Sequence, residues 1–251
     1  FAMEFPNDLN NSLGIEDNVR GSIEVSNDEP IIGNTAVPSA EEIKYRSYAV
    51  YASQNRAVTR NDYEAYVYMM PAKFGSVKRV AIVNDPSSTN RRLSLYVVSE
   101  DSDGNLLLTN STIKENLKIW LNKNKMLNDN IDIYDAKILN IGIEYDIIVQ
   151  PGRNRLEVLN EVKRKLRTEM ADKMFIGEPF YLTKVYNAIN KVQGVVDTTN
   201  VDISLKTGNG YSTAPVSIEQ LKSNDGTFLK APKNVIFEIK FFDRDVRGTA
   251  V

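Results

Sequence analysis

From Ile138 to Val149 the chain changes character at every step. Ile141, Ile143, Tyr145, Ile147 and Val149 fall on one parity, and Gly142, Glu144, Asp146 and Ile148 on the other. Side chains of an extended backbone point alternately to opposite faces, so this stretch predicts a strand with one buried face and one mostly wet face. Such a strand needs paired neighbours and a layer over its apolar side. The residues that follow supply candidates for both. Pro151-Gly152 ends the strand, and Asn154 with Glu157 caps a long helix carrying Leu156, Leu159, Val162, Leu166 and Met170 at helical spacing. Gly177 and Pro179 break that helix; a further one carries Leu182, Val185, Ile189 and Val192 and stops at Gly194. Val195 to Leu205 then reads as extended.

The half before this strand repeats the same vocabulary. A helix starts after Ser39, which caps it, with Glu41 and Glu42 at the positive end of its dipole and Tyr45, Tyr48 and Tyr51 along it. Thr59 and Asp62 form a capping box for the next helix, whose stripe is Tyr63, Tyr66, Val67 and Met70, with Pro71 at its end. Val77 to Val83, closed by Asp85-Pro86, and Leu93 to Ser99 read as strands joined to a turn at Asp101-Ser102-Asp103-Gly104-Asn105. Thr112 with Glu115 is expected to cap a helix bearing Ile113, Leu117, Trp120 and Leu121, and Ile131 to Lys137 reads as another strand. The junction Phe74-Gly75-Ser76-Val77 echoes Gln193-Gly194-Val195-Val196, each lying between a helix and a strand. Two halves built on one plan would produce that echo; so would two junctions alike by chance.

The expected class is α+β, with mixed and antiparallel sheets, packed helices and two α+β subdomains that are similar if the echo is real. The divisions are an N-terminal arm or remnant of a preceding domain over 1–38, a first α+β unit over 39–128, a second over 129–206, and a β-rich tail over 207–251. The arm is rich in Asn, Asp, Gly, Ser and Pro, with Ile23 to Val25 and Ile31-Ile32 as short apolar pieces. In the tail, turn clusters at Gly208-Asn209-Gly210 and Asn224-Asp225-Gly226 precede one strong strand, Val235 to Phe242. Met3 standing behind Phe1-Ala2 reads as an excised fragment of a longer polypeptide.

Composition narrows the chemistry. Neither cysteine nor histidine occurs among the 251 residues. Thiolate nucleophiles, disulfides, zinc ribbons and serine–histidine or cysteine–histidine catalytic sets are therefore excluded, and the commonest general base near neutral pH is missing. Carboxylate pairs and lysine bases remain. A formal net charge of −2 gives no overall drive toward nucleic acid or anionic lipid, and no apolar run approaches the ~18 residues of a membrane span.

The segment Arg56-Ala57-Val58-Thr59-Arg60-Asn61-Asp62-Tyr63-Glu64, followed by Gly75-Ser76-Val77-Lys78-Arg79-Val80, resembles the signature of the baseplate J-like family. There an "RAVT-x-x-DYE" segment precedes a "PGV-x-x-V" junction. The sequel is similar too: a strand pair, a helix, a segment like Lys125 to Val149 ending in Pro151-Gly152, a long helix, a short one, and a Gly194-Val195 junction into a strand. The resemblance covers roughly Ser39 to Leu205; the arm and the tail after Thr207 lie outside it. Phe74 departs from the pattern, where the family usually has proline. The Asn- and Lys-rich style is that of T-even-like contractile-tail phages, and the resemblance there is to the C-terminal part of the wedge subunit of the inner ring. It implies a structural virion protein that is not an enzyme: a homodimer with ring neighbours of its own kind and sister wedge proteins as partners. It would be assembled in the host cytoplasm, would sit in the tail baseplate, and would relay conformational change to sheath contraction. No catalytic, cofactor-binding or metal-binding residue is carried over, and no nucleic acid, membrane, small-molecule substrate or cofactor is expected.

Individual features have bland readings beside functional ones. Asp101, Asp103 and Asn105 have the alternate spacing of a calcium loop, but the glycine comes two residues early and the closing Glu is missing, so a hairpin turn is expected. Lys163, Arg164, Lys165 and Arg167, interspersed with Glu157, Glu161 and Glu169, read as i,i+4 pairs on a solvated or protein-contact face. Tyr45, Tyr48 and Tyr51 read first as core and second as interface. Gly208 to Gly210 lacks the Lys-Ser/Thr of a phosphate loop. Glu41 and Glu42 point apart on a helix and make no glycosidase pair. The alternatives to a scaffold are a tail-associated carboxylate-type glycan hydrolase and a receptor-binding module.

Overall fold

A computed structural model describes residues 56–84, 92–101, 103–171, 174–213 and 216–250, with isolated helical positions between 40 and 51. The readings placed on 1–39, Glu41, Glu42, Tyr45 and Asp85-Pro86 lie outside the described residues. The class is α+β, with helices layered on mixed sheets.

The first sheet is built on β1 (Arg79–Asn84), β2 (Arg92–Glu100), β3 (Leu106–Leu107) and β4 (Asn130–Asp135). β1 pairs antiparallel with β2, and β4 pairs parallel with β2 in the register Leu93↔Ile131, Leu95↔Ile133 and Val97↔Asp135. Helices α1 (Arg60–Tyr68) and α2 (Ser111–Asn122) cover one face. The Thr59–Asp62 capping box forms: the Asp62 N–H donates to Thr59 Oγ1 at 3.2 Å, and the Thr59 N–H donates to the Asp62 carboxylate at 2.8 Å. Tyr63, Tyr66, Val67 and Met70 are buried as their spacing requires. The cap of α2 is not Thr112 with Glu115. Asn110 takes that place, its side chain accepting from the Thr112 N–H at 2.9 Å, because the chain turns into the helix two residues earlier.

The second sheet is built on β5 (Lys137–Val149), which pairs antiparallel with β7 (Val195–Leu205) and parallel with both β9 (Val235–Glu238) and β10 (Val246–Ala250). A small β6–β8 pair, Phe180–Tyr181 with Phe228–Leu229, stands beside it. Helices α3 (Arg155–Glu169) and α4 (Leu182–Asn190) bury Val158, Val162, Leu166, Val185, Ala188 and Ile189 against Ile141, Ile143, Tyr145 and Ile147. Val158 leads the stripe of α3. Leu156 was expected there, but it points outward and is exposed, one helical step off the buried face. The strand expected over Val235 to Phe242 is shorter: β9 stops at Glu238, a single turn α5 (Ile218–Leu221) precedes it in the tail, and α6 (Phe242–Asp245) separates it from a further strand, β10. The α6 turn closes when the Asp245 carboxylate accepts from the Phe241 N–H at 3.0 Å.

β4 and β5 are one extended run, interrupted only at Ala136. The Ala136 N–H donates to the Val97 carbonyl of β2 at 3.0 Å, and the next, Lys137, donates to the Asn234 carbonyl ahead of β9 at 2.8 Å. Successive N–H groups of a strand point to opposite edges, so the run passes from one sheet to the other without leaving extended geometry. At the hand-over Val98, Leu106, Ala136, Ile138 and Ile236 form a small core of their own. That is why both parities of β5 are buried from Ile138 to Ile143, while alternation toward solvent begins at Glu144.

The echoed junctions have the same surroundings. α1 runs through Gly75 (φ 99°) toward β1, and α4 runs through Gly194 (φ 100°) into β7. In each unit the helix before the glycine packs on the antiparallel neighbour of the central strand, and the other helix packs on its parallel neighbour; the two helices also touch each other. A Cβ on Gly75 would stand 2.6 Å from Ile113, and one on Gly194 would stand 3.1 Å from Val158. Gly75→Ala is therefore expected to lower the unfolding free energy by about 1–3 kcal/mol, from a positive φ that L-residues resist and a clash with α2. Urea titration beside Gly152→Ala, where nothing lies within 4 Å, separates the clash from the φ effect: the Gly75 loss is expected to be the larger.

Candidate functional site

Buried polar groups concentrate where the two units meet. Glu238, at the end of β9, accepts from the Leu106 N–H of β3 at 2.7 Å and from the Asn140 side-chain amide at 2.9 Å. The Asn140 side-chain oxygen accepts from the Ser212 N–H at 2.7 Å, and its backbone carbonyl from the Lys206 N–H at 2.9 Å. One carboxylate and one amide thus hold the hairpin of the first unit, the central strand of the second, and the tail. Nearby, Lys78 and Glu100 make a 2.8 Å ion pair with both side chains nearly out of solvent, and Arg79 lies over the Phe175 ring at 4.6 Å. These contacts fix geometry; none leaves a group free to react.

The tail is fastened a second time. Asp243 takes Lys163 at 3.3 Å and Arg167 at 2.6 Å, which holds its carboxyl below the usual carboxylate range. Arg167 also lies over the Phe242 ring. The basic run of α3 therefore divides: Lys163 and Arg167 clamp α6, Lys165 pairs with Glu169 at 2.9 Å as an i,i+4 neighbour, and Arg164 is exposed. On the other side of α6, Tyr211 donates to the buried Asp245 carboxylate and accepts from Arg244 Nε at 2.9 Å, with the Arg244 guanidinium over its ring.

An open cleft of about 690 Å³ lies between α4, the segment after α3, the β2–β3 turn and β9. Its floor is apolar, with Ile141, Phe180, Ala188 and Phe237, and its rim carries Glu169, Glu178, Lys184, Lys191 and Lys240. Lys165, by hydrogen bond and charge, keeps the Glu169 carboxyl low, and Glu178 accepts from the Phe175 N–H at 2.8 Å. Glu169, so held, is a poor proton donor. Burial pushes the Glu64 carboxyl up, and Glu64 sits on α1, outside the cleft lining. Among the described residues no three carboxylates gather as a metal site, and no helix is long and apolar enough to cross a membrane.

The remaining sequence candidates fall as follows. Asp101 and Asn105 close a hairpin turn, the Asp101 N–H donating to the Asn105 carbonyl at 2.8 Å. Gly208 begins a turn in which the Tyr211 N–H returns to its carbonyl at 3.0 Å. Tyr48 and Tyr51 are exposed, not core. The Asn140–Glu238 pair was not foreseen, because its two members are far apart in sequence and one sits in an otherwise apolar strand. Replacing Glu238 with Leu is expected to leave two donors short of a partner and lower stability by about 1–3 kcal/mol, measured by chemical unfolding. Burial pushes the Tyr145 phenol up to about 12. An unfolded tyrosine ionises near pH 10, so stability falls as pH rises between those two values. Tyr145→Phe is expected to flatten that alkaline limb in pH-dependent unfolding.

No family model and no curated protein matches the chain. Among solved structures, a chain of the anti-feeding prophage baseplate, from a six-fold symmetrised cryo-EM structure, is similar over 87% of this chain with a TM-score of 0.51 and 10% sequence identity. At that identity the likeness is one of fold. It takes in 43% of the other chain, so this chain spans less than half of that protein's length.

Proposed function

We propose that this chain is a structural part of a contractile-tail baseplate, a wedge component of the ring around the hub that passes baseplate rearrangement on to the sheath. The observation that carries the reading is the fold likeness to an anti-feeding prophage baseplate chain over 87% of this chain. The Arg56–Glu64 segment adds independent weight, because the signature residues do structural work here. Thr59 and Asp62 cap α1, Tyr63 donates to Asp129 at 2.5 Å in the core, and Gly75 allows the approach of Ile113.

The mechanism is mechanical. A subunit that relays motion must move as a body, and the two units here share a strand, a junction core and a doubly fastened tail. Rigid-body rotation about repeated interfaces then carries displacement from the ring outward, with no cofactor and no turnover. Its location would be the virion tail, after assembly in the host cytoplasm, with copies of itself and sister wedge proteins as partners through large interfaces, apolar at the centre.

Quantitative mass spectrometry of purified tails is expected to find the chain in fixed ratio to the other baseplate proteins, and deletion of its gene to give particles without complete baseplates. Its absence from purified tails, or normal baseplates without it, would overturn the reading.

A further inference from the structure

The segment after β7 is pinned at both ends to one residue. The Lys206 N–H donates to the Asn140 carbonyl at 2.9 Å, and the Ser212 N–H donates to the Asn140 side-chain oxygen at 2.7 Å. Between them lies the turn in which the Tyr211 N–H returns to the Gly208 carbonyl. Tyr211 reaches α6 through Asp245 and Arg244, and its ring stands edge-on to Phe241. The exposed residues Thr207 to Gly210 therefore sit between an anchor on the second sheet and an anchor on the tail. Asn140 in turn holds Glu238, which reaches the first unit at Leu106.

This turn contains Asn209-Gly210. In three places the chain has Asp or Asn followed by glycine: Asp103-Gly104, Asn209-Gly210 and Asp225-Gly226. In such a pair the backbone nitrogen of the glycine can attack the carbonyl carbon of the preceding side chain, because no Cβ shields the approach. The nitrogen must first lose its proton, and a hydrogen bond through that proton opposes the loss. The Gly104 N–H donates to the Asp101 carbonyl at 2.9 Å, and the Gly226 N–H donates to the Ser223 carbonyl at 3.0 Å. The Gly210 N–H has no hydrogen-bond partner among the described residues, and neither has the Asn209 side chain. Asn209 also has the better leaving group. It would lose ammonia, where the two aspartyl side chains would have to lose water.

We propose that Asn209 is a self-modifying site: the chain deamidates there without an enzyme, and the product loosens the turn from Asn140 and α6. The Gly210 nitrogen gives its proton to hydroxide and bonds to Asn209 Cγ. The bond from Cγ to the side-chain nitrogen breaks, and that nitrogen takes a proton from water and leaves as ammonia. The product is a five-membered cyclic imide. Water then opens it at either carbonyl. Opening at Cγ leaves aspartate; opening at the main-chain carbonyl leaves isoaspartate, whose backbone runs through the side chain and is one methylene longer. Both products add a carboxylate. The added methylene falls inside a loop whose two ends are fixed on Asn140, so it displaces the Gly208–Tyr211 turn and the seat of Ser212. The site is a clock, and the hold of Asn140 on the tail is what it releases. None of this depends on the baseplate reading.

Incubation of the purified chain at mildly alkaline pH, followed by peptide mapping with mass spectrometry, tests it. The peptide bearing Asn209 is expected to gain the mass of an amide turned to an acid, faster as pH rises, and to split into aspartyl and isoaspartyl forms. The Asn209→Gln variant is expected to lose this reaction. Asp225→Asn places a second Asn-Gly pair where the glycine N–H is bonded. It is expected to deamidate more slowly than Asn209 in the folded chain and at a similar rate in urea. After incubation, the Ser212 amide of the wild type is expected to exchange hydrogen about threefold to tenfold faster than in fresh protein, and that of Asn209→Gln to be unchanged. An Asn209 that stays intact, an Asp225→Asn chain that reacts equally fast at both sites while folded, or a deamidated chain with Ser212 as protected as before would overturn the proposal.

Discussion

A backbone that stays extended from Asn130 to Val149 covers about 65 Å, and every edge of it in a folded protein has to be hydrogen-bonded or wet. Here the first third is paired to β2 and the rest to β7, β9 and β10, so a single covalent run belongs to two sheets. The hand-over at Ala136 is the constraint from which the rest follows. A small side chain there lets Val98, Leu106, Ile138 and Ile236 close around the strand. The apolar junction that results excludes water from Glu238, Asn140 and Lys78, which accordingly find partners in the structure. Separating the units would expose that core and break the Leu106–Glu238 hydrogen bond that crosses it.

The shared strand also accounts for the position of the tail. β9 and β10 add parallel strands to β5, which makes the C-terminal residues an integral part of the second sheet. Between them the chain leaves the sheet for one turn, α6, and that turn is held from two sides, by Lys163 and Arg167 on Asp243 and by Tyr211 and Arg244 around Asp245. Surface ion pairs are individually weak. The Asp243 cluster therefore positions the turn more than it stabilises the fold, and the stability of this region rests on burial of Val246, Phe237 and Ile236.

What could be read from the sequence was what short-range periodicity encodes. The alternation from Ile143 to Val149, the stripe from Tyr63 to Met70 and the Thr59–Asp62 cap are each set by residues within a turn or a strand of one another, and each stands as expected. The departures have long-range causes. Val235 to Phe242 has the composition of one strand, but Glu238 is claimed by Leu106 and Asn140, and Asp245 draws the chain into a turn. Asn110 displaced Thr112 as a cap because the path out of β3, with the Thr109 N–H on Asp135 at 3.1 Å, sets where the helix can begin. Tyr48 and Tyr51 have a helical spacing that reads first as core, and their exposure in the structure goes against that reading.

The central claim is that the two sheets behave as one mechanical body because they share β4–β5. Native-state hydrogen exchange tests it directly. Amides of Ile131, Ile133, Ile141, Ile143 and Ile147 are predicted to exchange only through global unfolding, with one common free energy and one common denaturant dependence. Two distinct free energies, one for the β4 amides and another for those of β5, would show that the units open independently, and would contradict the account.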